Sequence, residues 1–331
     1  MNRRLAAVGV GFVAAVACVA VVGGRAQGSS PRPALVIVSK GENALEIVDV
    51  GTLKVVGRVG VGTVPHEVAV SDDGKIAVVT NYGAHQDGTT LSVVDLDALK
   101  EIHRVELTNL TGPHGVEFFD GKFYFTAEGS KKIARYDAAT NRVDWEQEIG
   151  QNRTHMLVIA RDGKTIYTAN VNSGTVTAVN SDGKNWTNTV IAVGKGPEGI
   201  DLSPDGKEVW AANSGDGTVS IIGTASKTVV ATVDVGTKRS NRVKFTPDGK
   251  LVLISDLGSG DLLVMDAGTR QVVKKISMGK SAEGILMQPV GTRAFVAASG
   301  DDKVKIVDLK TLAVVGEIDG IKDADGMGWR R

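Results

Sequence analysis

A single cysteine, Cys18, occurs in the whole chain, within its first twenty residues. No disulfide can form within the chain, and neither a Cys-x-x-Cys zinc site nor a Cys-x-x-Cys-His haem attachment is available. The chain also lacks a Gly-x-Ser-x-Gly nucleophile elbow, a phosphate-cradling Gly/Lys loop and a dinucleotide fingerprint opening a helix. The common serine-hydrolase, nucleotide and Rossmann chemistries therefore have no local signature. Aromatic residues are only 5% of the chain, and no His-x-x-x-His ligand spacing occurs. Charge of either sign is not in excess, with Lys+Arg 38 against Asp+Glu 38. Neither a basic stripe nor an aromatic-basic platform is present, so a nucleic-acid partner is not expected.

The one long uncharged run is at the start. Met1-Asn2-Arg3-Arg4 is a basic head, Leu5 to Gly24 is an Ala/Val/Gly run, and Gly24-Arg25-Ala26 offers small residues for cleavage after Ala26. That pattern is an export leader, read as a signal peptide over 1–26 and followed by a short linker over 27–33. A periplasmic or secreted protein follows, with no transmembrane segment once the leader is removed. Lipidation at Cys18, or retention of the leader as an anchor, stays open in the sequence.

What is abundant is glycine, 41 residues, and a motif that recurs seven times. Its first copy is Thr63-Val64-Pro65-His66-Glu67-Val68, and the equivalent anchors are His66, His114, His155, Glu198, Asn241, Glu283 and Asp325. They are separated by 48, 41, 43, 43, 42 and 42 residues. A period of about 40–45 residues with four short strands each is the signature of propeller blades. Seven anchors predict an all-β, seven-bladed β-propeller over 34–331. Asp-Gly pairs at Asp73-Gly74, Asp120-Gly121, Asp162-Gly163, Asp205-Gly206 and Asp248-Gly249 supply the positive φ of the hairpin after each first strand. Asp49, Asp95, Asp137, Asn180, Asp266 and Asp308 close the third strands and are read as turn formers, not catalysts. Three strand-like runs precede the first anchor and one follows the last. The C-terminal strand is therefore expected to complete the N-terminal blade, since closure removes the open edges.

Val78-Val79-Thr80-Asn81 and Tyr167-Thr168-Ala169-Asn170, with Ser203-Pro204-Asp205-Gly206-Lys207 and Thr246-Pro247-Asp248-Gly249-Lys250, resemble the YVTN-type β-propeller repeat. The resemblance runs from about Ala34 to Trp329. It implies the fold strongly and function only broadly, because such repeats serve surface-layer, periplasmic and enzyme-associated proteins. Pro113-His114-Gly115-Val116 is also similar to repeats of streptogramin lyases, which would imply a metal-dependent seven-bladed enzyme.

Every anchor is polar, while the residue two positions on is always apolar: Val68, Val116, Leu157, Ile200, Val243, Ile285 and Met327. Alternation with period two sends the second set into the core and the anchors to the channel mouth. Two explanations compete: a wide, water-filled channel that tolerates polar residues, or a binding ring. Three imidazoles beside Glu198 suit a divalent transition ion, with His66, His114, His155 and Glu198 as ligands, whereas the Glu283–Asp325 arc suits calcium or magnesium. Cations nearby, Arg153 and Arg242 with Lys195, Lys238, Arg239 and Lys280, would instead hold an anion. His85, on the long loop Tyr82–Gly88, lies on the same face. The favoured function is a monomeric module binding a small molecule or a protein at this face. A metal-dependent lyase or hydrolase and a structural cell-surface propeller are the alternatives. A first test concerns the balanced charge: in a gel-shift titration the protein should show no salt-sensitive, sub-micromolar binding to DNA or RNA, and such binding would contradict this reading.

Overall fold

The computed structural model describes residues 33–331; the leader, Cys18 and nearly all of the linker lie outside the described residues. Among the described residues there are seven four-stranded antiparallel sheets and no helix long and apolar enough to cross a membrane. The fold is the seven-bladed propeller that the repeat predicts. Blade 1 joins β28 (Ala324–Arg330) to β1 (Ala34–Ser39), β2 (Ala44–Asp49) and β3 (Lys54–Gly60). Blades 2 to 7 are the consecutive sets β4–β7 (65–106), β8–β11 (113–148), β12–β15 (154–192), β16–β19 (197–234), β20–β23 (240–277) and β24–β27 (285–319).

Closure follows the strand count. β28 pairs antiparallel with β1, with Leu35 opposite Trp329 and Ile37 opposite Met327. Hairpins form where the sequence supplies positive φ: Gly74, Gly163, Gly206 and Gly249 sit at φ 69°, 65°, 73° and 71°. Asp49, Asp95 and Asp308 each accept backbone N–H groups two and three residues on, and Asp266 accepts that of Thr269, three on, as turn formers do. Asn180 departs from this pattern, its amide donating to the Ala178 carbonyl instead.

The core lies between blades. Phe123, Phe125 and Tyr136 of blade 3 pack on Val78 and Leu91 of blade 2, and the pattern repeats around the ring. The four tryptophans take part, with Trp145 against Trp186 at 5.0 Å, Trp210 against Phe245 at 5.3 Å and Trp329 against Phe295 at 6.0 Å. All of these contacts cross a blade boundary, and offset or edge-on aromatic pairs add to area burial.

The Thr-Asn ends of the second strands have a mechanical role. Thr80 accepts the Glu67 N–H at 3.2 Å and donates to the His114 carbonyl of the next blade at 2.6 Å. Thr126 likewise joins the Gly115 N–H to the His155 carbonyl. Asn81, Asn170 and Asn213 each hold a pair of Thr or Ser hydroxyls on the third strand. Buried hydroxyls and amides thus find partners while tying inner strands together.

Removing 323–331 would strip β28 from β1 and uncover Leu35, Ile37 and Phe295. The loss should exceed about 4 kcal/mol, the range of severe core lesions. Urea unfolding of the truncated and full-length proteins measures it, and equal midpoints would show that closure carries no stability.

Candidate functional site at the channel mouth

The inner strands of blades 2 to 6 carry a register shift beside the anchor, between Pro65 and Val68, Pro113 and Val116, Thr154 and Met156, Pro197 and Gly199, and Ser240 and Val243. A bulge sets two residues against one, so the anchor and its successor are both re-aimed. Space then becomes short. A Cβ at Gly115 would meet the His155 carbonyl at 2.8 Å, and one at Gly199 would meet the Val243 nitrogen at 2.7 Å. Glycine is needed there because neighbouring inner strands nearly touch.

Six of the seven anchors are buried, and His66 keeps 21% of its side-chain surface. The picture of a wide, water-filled channel is therefore corrected: the anchors fill the mouth and touch one another. The His66 and His114 rings lie 4.6 Å apart, and those of His114 and His155 3.8 Å. Tyr82 packs against both His66 and His114.

Two residues that the sequence did not single out as site residues, Tyr82 and Glu128, complete this half of the ring. Glu128 bonds His155 Nδ1, and the Tyr82 hydroxyl donates to its other oxygen at 2.7 Å. Both Tyr82 and Glu128 immediately follow a second strand, β5 (Ile76–Asn81) and β9 (Lys122–Ala127), whose ends face the same mouth. That shared position in the repeat is the signal that would have found them. Burial opposes a charge on Glu128, but the bonds and charges of His155, Tyr82 and Arg153 prevail and hold its carboxyl below the ordinary range. An ionised Glu128 only accepts, so the Nδ1 proton belongs to His155, and in the neutral imidazole Nε2 carries the lone pair. That Nε2 is buried without a hydrogen-bond partner, 3.9 Å from Glu198 Oε1. His114 Nδ1 is likewise buried and unpartnered. Burial and then the nearby His155, His66 and Arg242 charges keep His114 neutral well below the usual imidazole range.

Atoms of His114, Glu128 and His155 able to ligate a metal lie within 4.8 Å of one another. Of the ligands inferred from sequence, His66 and Glu198 stand outside that group. His66 Nδ1 is 3.4 Å from Asp325 Oδ2, and Glu198 Oε1 accepts the Asn241 amide at 3.0 Å.

The remaining arc is a closed charge network. Lys40 bonds Glu283 at 2.6 Å and lies 3.4 Å from Asp325. Ser299, again one residue past a second strand, donates to Glu283 at 2.7 Å. This corrects the calcium or magnesium assignment of the Glu283–Asp325 arc, because an ammonium already fills it. Burial disfavours the Asp325 charge, yet Lys40, His66 and Arg242 hold its carboxyl far below the usual range. Arg242 is not available to an anion either. It is buried, reaches across the channel to bond Glu67 of blade 2, and meets Asn241 Oδ1 at 3.1 Å and Asp325 at 3.5 Å. Arg153 is 40% exposed with its Nε 3.4 Å from Glu128. Lys195, Lys238, Arg239, Lys280 and His85 are exposed on the surrounding loops, and His85 is not drawn into the cluster.

Residues 124–310, more than half of the chain, match the family described as lactonase, 7-bladed beta-propeller. The chain belongs to that family. The matched part of this lactonase-family propeller contains Glu128, His155, Glu198 and Arg242, whereas His66, His114 and Asp325 lie outside it. Among solved structures it is similar to a functionally unknown protein from Desulfotomaculum acetoxidans DSM 771, at 17% identity and TM-score 0.75. That likeness covers 89% of this chain and 98% of the other. It is also similar to hydrazine synthase from Kuenenia stuttgartiensis, at 18% identity and TM-score 0.67, over 77% and 86% of the two chains. At such identities the likeness is one of fold. No curated protein matches the chain.

The depressed His114 titration has a stability consequence with a definite sign. The folded state resists a proton that the unfolded chain accepts near pH 6.5, so the cost is nil above that value and grows as pH falls below it. The slope should reach about 1.4 kcal/mol per pH unit. Chemical unfolding followed from about pH 7 to pH 5 should show it, reduced by one proton in His114→Gln. An identical slope in the variant would contradict a neutral His114.

Proposed function

We propose that this protein hydrolyses a cyclic ester at the channel mouth, with His155 as general base and Glu128 as the residue that orients it. The observation that carries the reading is the buried Glu128–His155 pair: Tyr82 and Arg153 hold Glu128, the His114 ring packs on His155, and Nε2 is left without a partner. Membership of the lactonase family supports the substrate class. The leader read over 1–26 supports an exported setting for the reaction.

The chemistry follows from the proton positions. Nε2 takes a proton from water as the water oxygen bonds the ester carbonyl carbon, and Glu128 stabilises the resulting imidazolium. Arg153, partly exposed beside Glu128, is the nearest cation to the pair and would stabilise the developing oxyanion. Collapse breaks the ring C–O bond, the imidazolium returns its proton to the leaving alkoxide, and a hydroxy acid results. Neutral His114 and Tyr82 shape the wall on the far side.

A divalent transition ion is a second reading, favoured by the 4.8 Å clustering of His114, Glu128 and His155. Their two unpartnered nitrogens would fit such an ion, which would supply Lewis acidity, and Glu198 is the nearest further carboxylate. A binding module without turnover is what this mouth supports if no chemistry occurs.

Release of acid from a panel of γ- and δ-lactones tests the proposal, using the full chain with and without chelator. His155→Ala should lower kcat about 10²- to 10⁴-fold with little change in KM. Glu128→Gln should lower kcat about tenfold or more. Turnover abolished by chelator and restored by a transition ion would select the metal reading. A panel without turnover overturns the hydrolase.

A further inference from the structure

Arg242 and Glu67 span the channel below the anchor ring, and beneath them lies a second space. It is a cavity of about 260 Å³, lined by residues one to four positions further along the inner strands. Its walls include Val68, Val116, Phe118, Leu286 and Met327, and its polar lining is Glu67, Glu117, Arg242 and Lys244. None of the residues assigned to the hydrolytic mouth lines it.

Both cations are already engaged. Arg242 is taken by Glu67, Asp325 and Asn241, and Lys244 lies 3.4 Å from Asp201 Oδ1. Glu117 differs. Its Oε2 accepts the Ile159 N–H at 3.1 Å, while Oε1 makes no hydrogen bond among the described residues, and the side chain lines the cavity. Three carboxylates, Glu67, Glu117 and Asp201, face two cations, Arg242 and Lys244, in and around the cavity, Asp325 being balanced by Lys40 in the ring above. The unmatched charge is negative, and the walls around it are aliphatic and aromatic.

We propose that this lower channel binds a small aliphatic ammonium ion, its charged head on Glu117 and its alkyl part against Val68, Phe118 and Met327. A volume below the roughly 300–1,000 Å³ of drug-sized sites restricts the guest to a few carbons. A carboxylate ligand would meet the negative excess, and a neutral alcohol would leave it uncompensated. The titration of Glu117 agrees with an incomplete charge balance. Burial raises it to about 7, Lys244 opposes the rise, and Asp201 adds to it. An ammonium binds the ionised form, so affinity should fall as pH drops through about 7.

Isothermal titration of the full chain with n-pentylammonium chloride at about pH 8, beside pentanoate and 1-pentanol, tests this. Saturable one-site binding is expected for the ammonium alone. Glu117→Gln retains an acceptor for the Ile159 N–H but should weaken binding at least about tenfold, or 1.4 kcal/mol. Lys244→Met removes a competing cation and should tighten it, whereas an anion site would weaken. His155→Ala should leave it unchanged. No binding of pentylammonium up to about 10 mM, equal binding of pentanol, or full retention in Glu117→Gln would overturn the proposal. So would loss in His155→Ala, which would place the guest in the upper mouth.

Discussion

The buried guanidinium of Arg242 is the interaction on which the interior of this propeller depends. It starts on blade 6 and ends against Glu67 on blade 2, three blades away, as far as a seven-membered ring allows. A charge in that position is tolerable only if fully paired, and Glu67, Asp325 and Asn241 supply the partners. Breaking one such pair typically leaves an uncompensated charge costing about 3–5 kcal/mol. The tie therefore holds the inner strands in one arrangement. It also divides the channel, with the anchors on one side and the Glu117 cavity on the other.

The histidine cluster inherits its properties from that division. Asn241, held by Arg242, fixes Glu198, and Glu198 lies next to His155. Asp325, held by Arg242 and Lys40, fixes His66. With the channel filled by paired side chains, His114 loses contact with water and stays neutral. His155 is kept in one tautomer by Glu128. An imidazole with its lone pair free, in a site of reduced water, is a stronger base toward a bound ester than a solvated one.

Much of the fold was legible because the repeat is local and periodic. Asp-Gly turns, apolar residues two past each anchor and the three-plus-one strand count each bear on elements close in sequence or on the two termini. The polarity of the anchors was legible for the same reason. What the chain did not reveal was which polar groups pair across the ring. Arg242 meets Glu67 at a separation of 175 residues, and Lys40 meets Glu283 at 243, so no local pattern encodes either contact. For that reason the acidic arc read as a hard-cation site, although a lysine fills it. Glu128 and Tyr82 were missed because their position in the repeat holds other residue types in the remaining blades, Val171, Ser214 and Leu257 among them. Their shared location, rather than their identity, marks them.

The central claim is that Glu128 fixes His155 as the Nδ1–H tautomer and leaves Nε2 as a free base. Nitrogen-15 NMR of the histidine side chains measures this directly. The account predicts a pyrrole-type Nδ1 with a strongly hydrogen-bonded proton and a pyridine-type Nε2 for His155, with the bonded proton lost in Glu128→Gln. A His155 protonated on Nε2 at neutral pH, or one unaffected by Glu128→Gln, would contradict it.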